Sequence, residues 1–278
     1  MDIPSPIFIV GPHRSGTTLL YRILARHREV AFLNRFNKRF PSMPRLAHWL
    51  TRFGGDQPLE AQRVWDRYRG QEDDFMGAGD ATPEVTQWYR GLVRRILVLR
   101  GVDRFLAKYP RLSLRLEWLD AIFPGAVFVH MQRDWRAVVN STVERKVKRS
   151  KRGGGWFGVR MPGWRDMKEL PHEVAAARQF RYVTEILENA VTRFPGRVFT
   201  AGYEEICREP LAAIRRLTEE LKLSWSDAFA ATIPTQLRCA NYKWRERLDS
   251  GVVASIRAEA PDFFSRHEVP DSCAAQRA

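Results

Sequence analysis

"FIVGPHRSGTTLL", residues 8–20, sets an apolar strand, a turn bounded by Gly11 and Gly16, and an apolar helix in immediate succession. Gly11 to Thr18 fits G-x-x-x-x-G-x-[ST], one residue away from the loop that binds nucleoside triphosphates. Main-chain N–H groups of such a loop point inward, and the helix behind it adds its positive end, so an anion is held there. The missing residue is the lysine that reaches β- and γ-phosphates; Thr17 stands in its place. Ser15, Thr17 and Thr18 still offer hydroxyl donors, and Arg14 offers a forked guanidinium. The loop therefore reads as a grip for a terminal anionic group, held by hydrogen bonds and one arginine, with no evident metal site. A tight strand-to-helix turn in an unrelated α/β protein would share this outline.

A second cluster, "HMQRDWRAVVNS" at residues 130–141, ends the most apolar stretch of the chain, Ala126–Met131. Nearly continuous apolar runs of that length are typical of buried parallel strands. Arg133 then falls at the carboxyl end of a strand, where ligands bind in doubly wound sheets. Ser141, eight residues on, lies about two turns into the following helix, near the same face, and Asp134 is the natural N-cap. The pair can hold a second phosphate, away from the one in the first loop.

Around these two clusters the pattern alternates. Strands are expected at Ile7–Val10, Val30–Leu33, Asp103–Lys108, Ala126–Met131 and Arg197–Ala201. Helices are expected from Thr17 to about His27, through Leu112–Ile122, after Asp134, over Glu173–Arg193 and over Pro210–Leu223. Residues 56–75 read as a polar helix. Such alternation predicts an α/β fold, a three-layer domain with a central parallel sheet, running as one unit over residues 1–278. The segment "RKVKRSKRGGG", Arg145–Gly155, opens an expected mobile basic loop over 145–170, and 265–278 is expected to be a flexible tail.

The formal charge of +14 over 278 residues predicts anionic partners: nucleic acid, acidic glycan, membrane surface or a polyanionic cofactor. Three scattered cysteines form no CxxC pair, which argues against a zinc cluster or a disulfide framework. The start has neither a basic region nor a long apolar run, so a cytoplasmic location, with possible peripheral membrane contact through the basic loop, is the expectation.

Together, PHRSGTTLL and VFVHMQRDWRAVVNS resemble the sulfotransferases that use 3′-phosphoadenosine 5′-phosphosulfate (PAPS). The resemblance implies that Arg14, Ser15, Gly16, Thr17 and Thr18 cradle the 5′-phosphosulfate, and that Arg133 and Ser141 hold the 3′-phosphate. Trp135 stands where the family usually has proline. "GYEEICREP" is similar to a family segment whose tyrosine, here Tyr203, lies near the adenine; "YKWRERL" is similar to one that supports the 3′-phosphate, through Lys243 and Arg245. The resemblance spans roughly residues 7–248. It also explains the absent lysine, because a transferred –SO3 group bears one charge and needs no magnesium-and-lysine clamp.

Acid–base residues are less determined. "FLAKYPRLSL" matches the lysine of the cytosolic enzymes' K-T-H segment at Lys108, but Pro110 stands where their basic histidine would be. "GDATPEV" is similar to a segment of glycan-directed members, which makes Asp80 and Glu84 candidate bases, although both equally cap or flank a helix. Arg14 and Lys108 are the candidate stabilisers of charge on the leaving oxygen. His13 lies in the loop, where facing the acceptor and packing locally are the two alternatives. A glycan or glycolipid acceptor is expected, with PAPS as donor, 3′,5′-adenosine bisphosphate (PAP) as product and no metal. A P-loop kinase or nucleoside triphosphatase, and a nonenzymatic binder of anions or nucleic acid, are the alternatives.

Overall fold

The computed structural model describes residues 3–70 and 72–269. Five parallel strands, β1 (Ile7–Val10), β2 (Val30–Phe32), β3 (Arg104–Lys108), β4 (Val127–Gln132) and β5 (Val198–Gly202), lie in the order β2-β3-β1-β4-β5. The main helices are α1 (Thr17–Leu24), α2 (Pro83–Arg100), α3 (Leu116–Ile122), α4 (Trp135–Ser150), α5 (His172–Arg193), α6 (Tyr203–Arg208) and α7 (Pro210–Glu220).

The side-chain period of two makes the sheet the middle of three layers. Phe8 and Val10 of β1 and Phe128 of β4 enter one core with Tyr89, Leu92 and Val93 of α2 and Trp118, Leu119 and Ile122 of α3. Ile7 and Ile9, with Val129 and Met131, enter the other with Leu20, Ile23 and Leu24 of α1 and Ile214 and Leu217 of α7. The chain leaves β1 for the α1 face. β1 and β4 are neighbours, so their carboxyl ends open onto one crevice, the place where ligands bind in doubly wound sheets.

All five expected strands are present, within a residue or so of their expected limits. The expected polar helix over 56–75 is not: only Gln62–Trp65 is helical. Its acidic residues are used otherwise. Asp66 accepts from the Tyr109 hydroxyl (2.8 Å), Arg111 (2.9 Å) and Arg115 (3.0 Å), and the fully buried Asp74 pairs with Arg69 and Arg111. Carboxylates pinned to buried guanidiniums hold this segment in an irregular path that no helical period would satisfy.

The stretch 145–170, expected as a mobile loop, begins as the last turns of α4 and then crosses the body. Trp164 donates to the Glu72 carbonyl (2.7 Å), while Arg160 and Asp74 exchange bonds of 2.7 and 2.8 Å. Of the expected tail, residues 265–269 are packed: Glu268 takes Trp135 and Arg257, and the Val269 N–H donates to Asp134 (3.0 Å). Residues 270–278 lie outside the described residues. No helix among the described residues is long and apolar enough to cross a membrane.

Candidate active site

The loop between β1 and α1 is shaped by three left-handed residues. Gly11 (φ +152°) and Gly16 (φ +100°) need to be glycine, because a Cβ at Gly16 would sit 2.6 Å from the Tyr203 ring and one at Gly11 2.9 Å from the Met131 carbonyl. Arg14 has φ +72°, a conformation a non-glycine residue adopts at a cost of about 1–2 kcal/mol. Backbone strain of this kind gathers at functional sites. Gly16 caps α1 without any side-chain cap; the Leu19 and Leu20 N–H groups donate to its carbonyl, which leaves those of Thr17 and Thr18 for an anion.

What the strained turn achieves is a junction. Arg14 Nε donates to Ser141 Oγ on α4 (3.0 Å), and Arg133 Nη1 donates back to the Arg14 carbonyl oxygen (2.9 Å). The two sequence clusters therefore form one mouth at the β1–β4 crevice. Arg133 is fixed on two further sides. Its Nε donates to Asn241 Oδ1 (2.8 Å), and its guanidinium lies 4.1 Å above the centre of the Tyr203 ring. Buried Glu204 braces the arrangement, accepting from both Asn241 Nδ2 and the Asp134 N–H.

Below this mouth lies a cleft of about 420 Å³ lined by Arg14, Gly16, Thr17, Thr18, Lys108 and Arg133, together with His13, Glu60, Arg145 and Phe157. Lys108 is buried at the end of β3, donates to Thr18 Oγ1 (2.9 Å) and pairs with Glu60. Burial lowers the pKa of its ammonium from the ordinary lysine value, and the Glu60 carboxylate opposes that shift. His13 packs edge-on against Phe157 (5.4 Å); burial, with Lys108, Arg111 and Arg14 around it, pushes its pKa down to about 3. It is a neutral imidazole at pH 7.

Several expected residues take other places. Ser15 is fully buried and its hydroxyl donates to the Pro12 carbonyl (2.8 Å), so it braces the loop rather than facing a ligand. Asp80 and Glu84, expected as bases, do not line the cleft. Asp80 closes a turn by accepting from the Gly77 N–H (2.8 Å), and Glu84 meets the Tyr68 hydroxyl in a separate groove with Trp88 and Arg95. The Tyr203 ring is spent on Gly16 and Arg133, and burial raises its phenol to about 12. Lys243 lies within the Asn241–Trp244 turn and Arg245 directly after it, and neither lines the cleft; their segment reaches the site through Asn241. His130 is buried in β4, as a core histidine would be, with its pKa pushed down to about 3. Among the described residues no three His, Cys, Asp or Glu side chains are grouped to hold a metal.

Glu60, Gln62, Arg145, Arg149 and Phe157 line the cleft without having been picked out as site residues, and Glu60 and Arg145 matter most among them. Glu60 lies in an irregular stretch with no motif around it. Arg145 stands one helical turn beyond Ser141, so the i, i+4 spacing from the serine was the available signal.

The model of the sulfotransferase family matches residues 6–227. The chain belongs to that family. Among this sulfotransferase's curated relatives are a putative protein-tyrosine sulfotransferase of Caenorhabditis briggsae (27% identical over 224 residues, 79% of this chain and 66% of the relative) and protein-tyrosine sulfotransferase 1 of Danio rerio (29% over 230 residues, 82% and 55%). Protein-tyrosine sulfotransferase A of Caenorhabditis elegans is 27% identical over 223 residues, 80% of this chain and 50% of that protein. The chain thus spans between half and two thirds of the length of these relatives. Among solved structures, sulfotransferase STF9 of Mycobacterium avium superposes with a TM-score of 0.63 at 17% identity, covering 95% of this chain and 78% of that one. The likeness confirms the fold.

Proposed function

We propose that this chain transfers a sulfuryl group from PAPS to a phenolic hydroxyl, that of a protein tyrosine. The single observation that carries the donor half is the Arg133–Arg14–Ser141 junction, which joins two anion grips at one mouth. The residues suit a phosphosulfate nucleotide: an uncapped helix start, the Thr17 and Thr18 hydroxyls and Lys108 for its 5′ end, and Arg133 and Arg145 in the cleft, with Ser141 beside Arg14, for its 3′-phosphate. The bound donor supplies an –SO3 group on a bisphosphate leaving group. A triphosphate clamp finds no lysine at Thr17, which disfavours the kinase alternative.

In this reading Glu60, and not Asp80 or Glu84, takes the proton of the acceptor hydroxyl. The acceptor oxygen then forms the new O–S bond as the bond to the leaving phosphate oxygen breaks. Lys108, beside Glu60 in the cleft, stabilises the charge growing on that leaving oxygen. The tyrosine acceptor, in place of the glycan expected from composition, follows the names of the curated relatives.

Incubation with sulfur-labelled PAPS and, in parallel, a tyrosine-containing peptide and a sulfatable glycan tests this. Label on the peptide's phenolic oxygen is expected. Label on the glycan alone would overturn the acceptor, and magnesium-dependent ATP turnover without transfer would overturn the reaction class.

A further inference from the structure

Lys146 is 7% exposed; among the described residues its ammonium meets no ion-pair or hydrogen-bond acceptor, although its Nζ is not sealed from solvent. Its Nζ lies 4.2 Å from the centre of the Trp156 ring. An ammonium at the edge of solvent with one aromatic face beside it keeps its N–H donors free for an anion. The side chain borders a cavity of about 150 Å³ with Trp156, Phe157, Met167, Lys168 and His172. No acidic residue lines it, although Glu173 is near enough to favour the ammonium.

The cavity is built, not incidental. Arg149 Nε donates to the Gly155 carbonyl (2.9 Å), and a Cβ at Gly154 would lie 2.5 Å from Arg149 Cγ, so the chain folds tightly back over the end of α4. Trp156 is held in turn, its Nε1 donating to the Val159 carbonyl (3.0 Å). Phe157 is a wall of this cavity and of the donor cleft alike, so the two spaces abut across one ring. On α4, Arg145 faces the cleft while Lys146 faces this cavity.

Resting on the donor-site reading above, we propose that the Lys146–Trp156 cavity is a separate subsite that seats a carboxylate carried by the acceptor away from its reacting hydroxyl. Trp156 and Phe157 flank the carbon framework, and the Lys146 ammonium gains the acceptor oxygen it lacks. The subsite selects among acceptors and leaves the nucleotide to Arg133, Ser141 and Arg145.

Two matched phenols test it: 4-hydroxyphenylacetate and its neutral amide, titrated by ligand-observed NMR into protein saturated with PAP, so that no turnover occurs. The acid is expected to bind about tenfold tighter than the amide, as one charge-assisted contact warrants. Lys146→Met, which keeps the stem against Trp156, should erase that preference, and Lys146→Arg should retain most of it. Equal binding of acid and amide to the wild type, or a preference that survives in Lys146→Met, overturns the subsite while PAP binding stands. Failure of PAP itself to bind overturns the donor reading, and this proposal with it.

Discussion

Arg133 Nη1 donates to the main-chain oxygen of Arg14 at 2.9 Å, so the strand-end arginine of one anion grip fixes the loop conformation of the other. The two grips are one mechanical unit, and damage to either should be felt at both.

Arg133→Lys keeps the charge but loses the fork that reaches Arg14 and Asn241 simultaneously. Losing charge-assisted bonds worth about 1.5–3 kcal/mol each predicts PAP affinity lower by tenfold or more. Calorimetry with the variant checks this; affinity within twofold of wild type would show that charge alone suffices.

Gly16→Ala should be poorly tolerated. The residue would need φ +100° and would drive its Cβ to 2.6 Å from the Tyr203 ring. The left-handed backbone alone costs about 1–2 kcal/mol, so thermal unfolding should shift down and PAP binding weaken together. Adding Tyr203→Leu should recover part of the stability and not all of it, because the backbone strain remains.

The fold was legible because its strands are local apolar runs with glycine stops, and both anion clusters sit at strand ends where sequence period and topology agree. The meeting of Arg14 with Ser141 was not, since a hydrogen bond across 127 residues depends on which strands become neighbours. Helix α2 carries its signals in the Thr82 cap, Pro83 in its first turn and a left-handed Gly101 at its end, yet its many arginines blur the apolar period and it is absent from the expected helices. Glu60 had no local signal: it reaches Lys108 from an irregular segment held by buried ion pairs.

That difference separates three carboxylates experimentally. Glu60→Gln should lower turnover by about 10²–10⁴-fold, the usual worth of a positioned base, with PAP affinity changed far less. Asp80→Asn and Glu84→Gln should leave turnover within about twofold, as surface changes outside the cleft do. Initial rates with a fixed acceptor compare the three.

Lys146 makes a prediction about stability. Burial pulls its pKa from the ordinary 10.5 to about 8, against the opposing pull of Glu173, with Lys168 and His172 lining the same cavity. Between those values the unfolded chain binds the proton and the folded chain releases it, so this group's contribution to stability rises with pH from about 8 to 10.5. Lys146→Met should therefore raise stability near pH 7, by about 1 kcal/mol once the lost cation–π contact is set against the relieved burial, and should flatten that alkaline rise. Denaturant unfolding of both proteins at pH 7 and 10 reads it.

The most direct test of the joined anion grips is a calorimetric titration with PAP, without magnesium, of the wild type, Arg133→Ala and Ser141→Ala. Micromolar binding by the wild type is predicted, lost in Arg133→Ala and weakened in Ser141→Ala. Absence of PAP binding in a folded wild type, or undiminished binding in Arg133→Ala, would contradict the donor site proposed at the β1–β4 crevice.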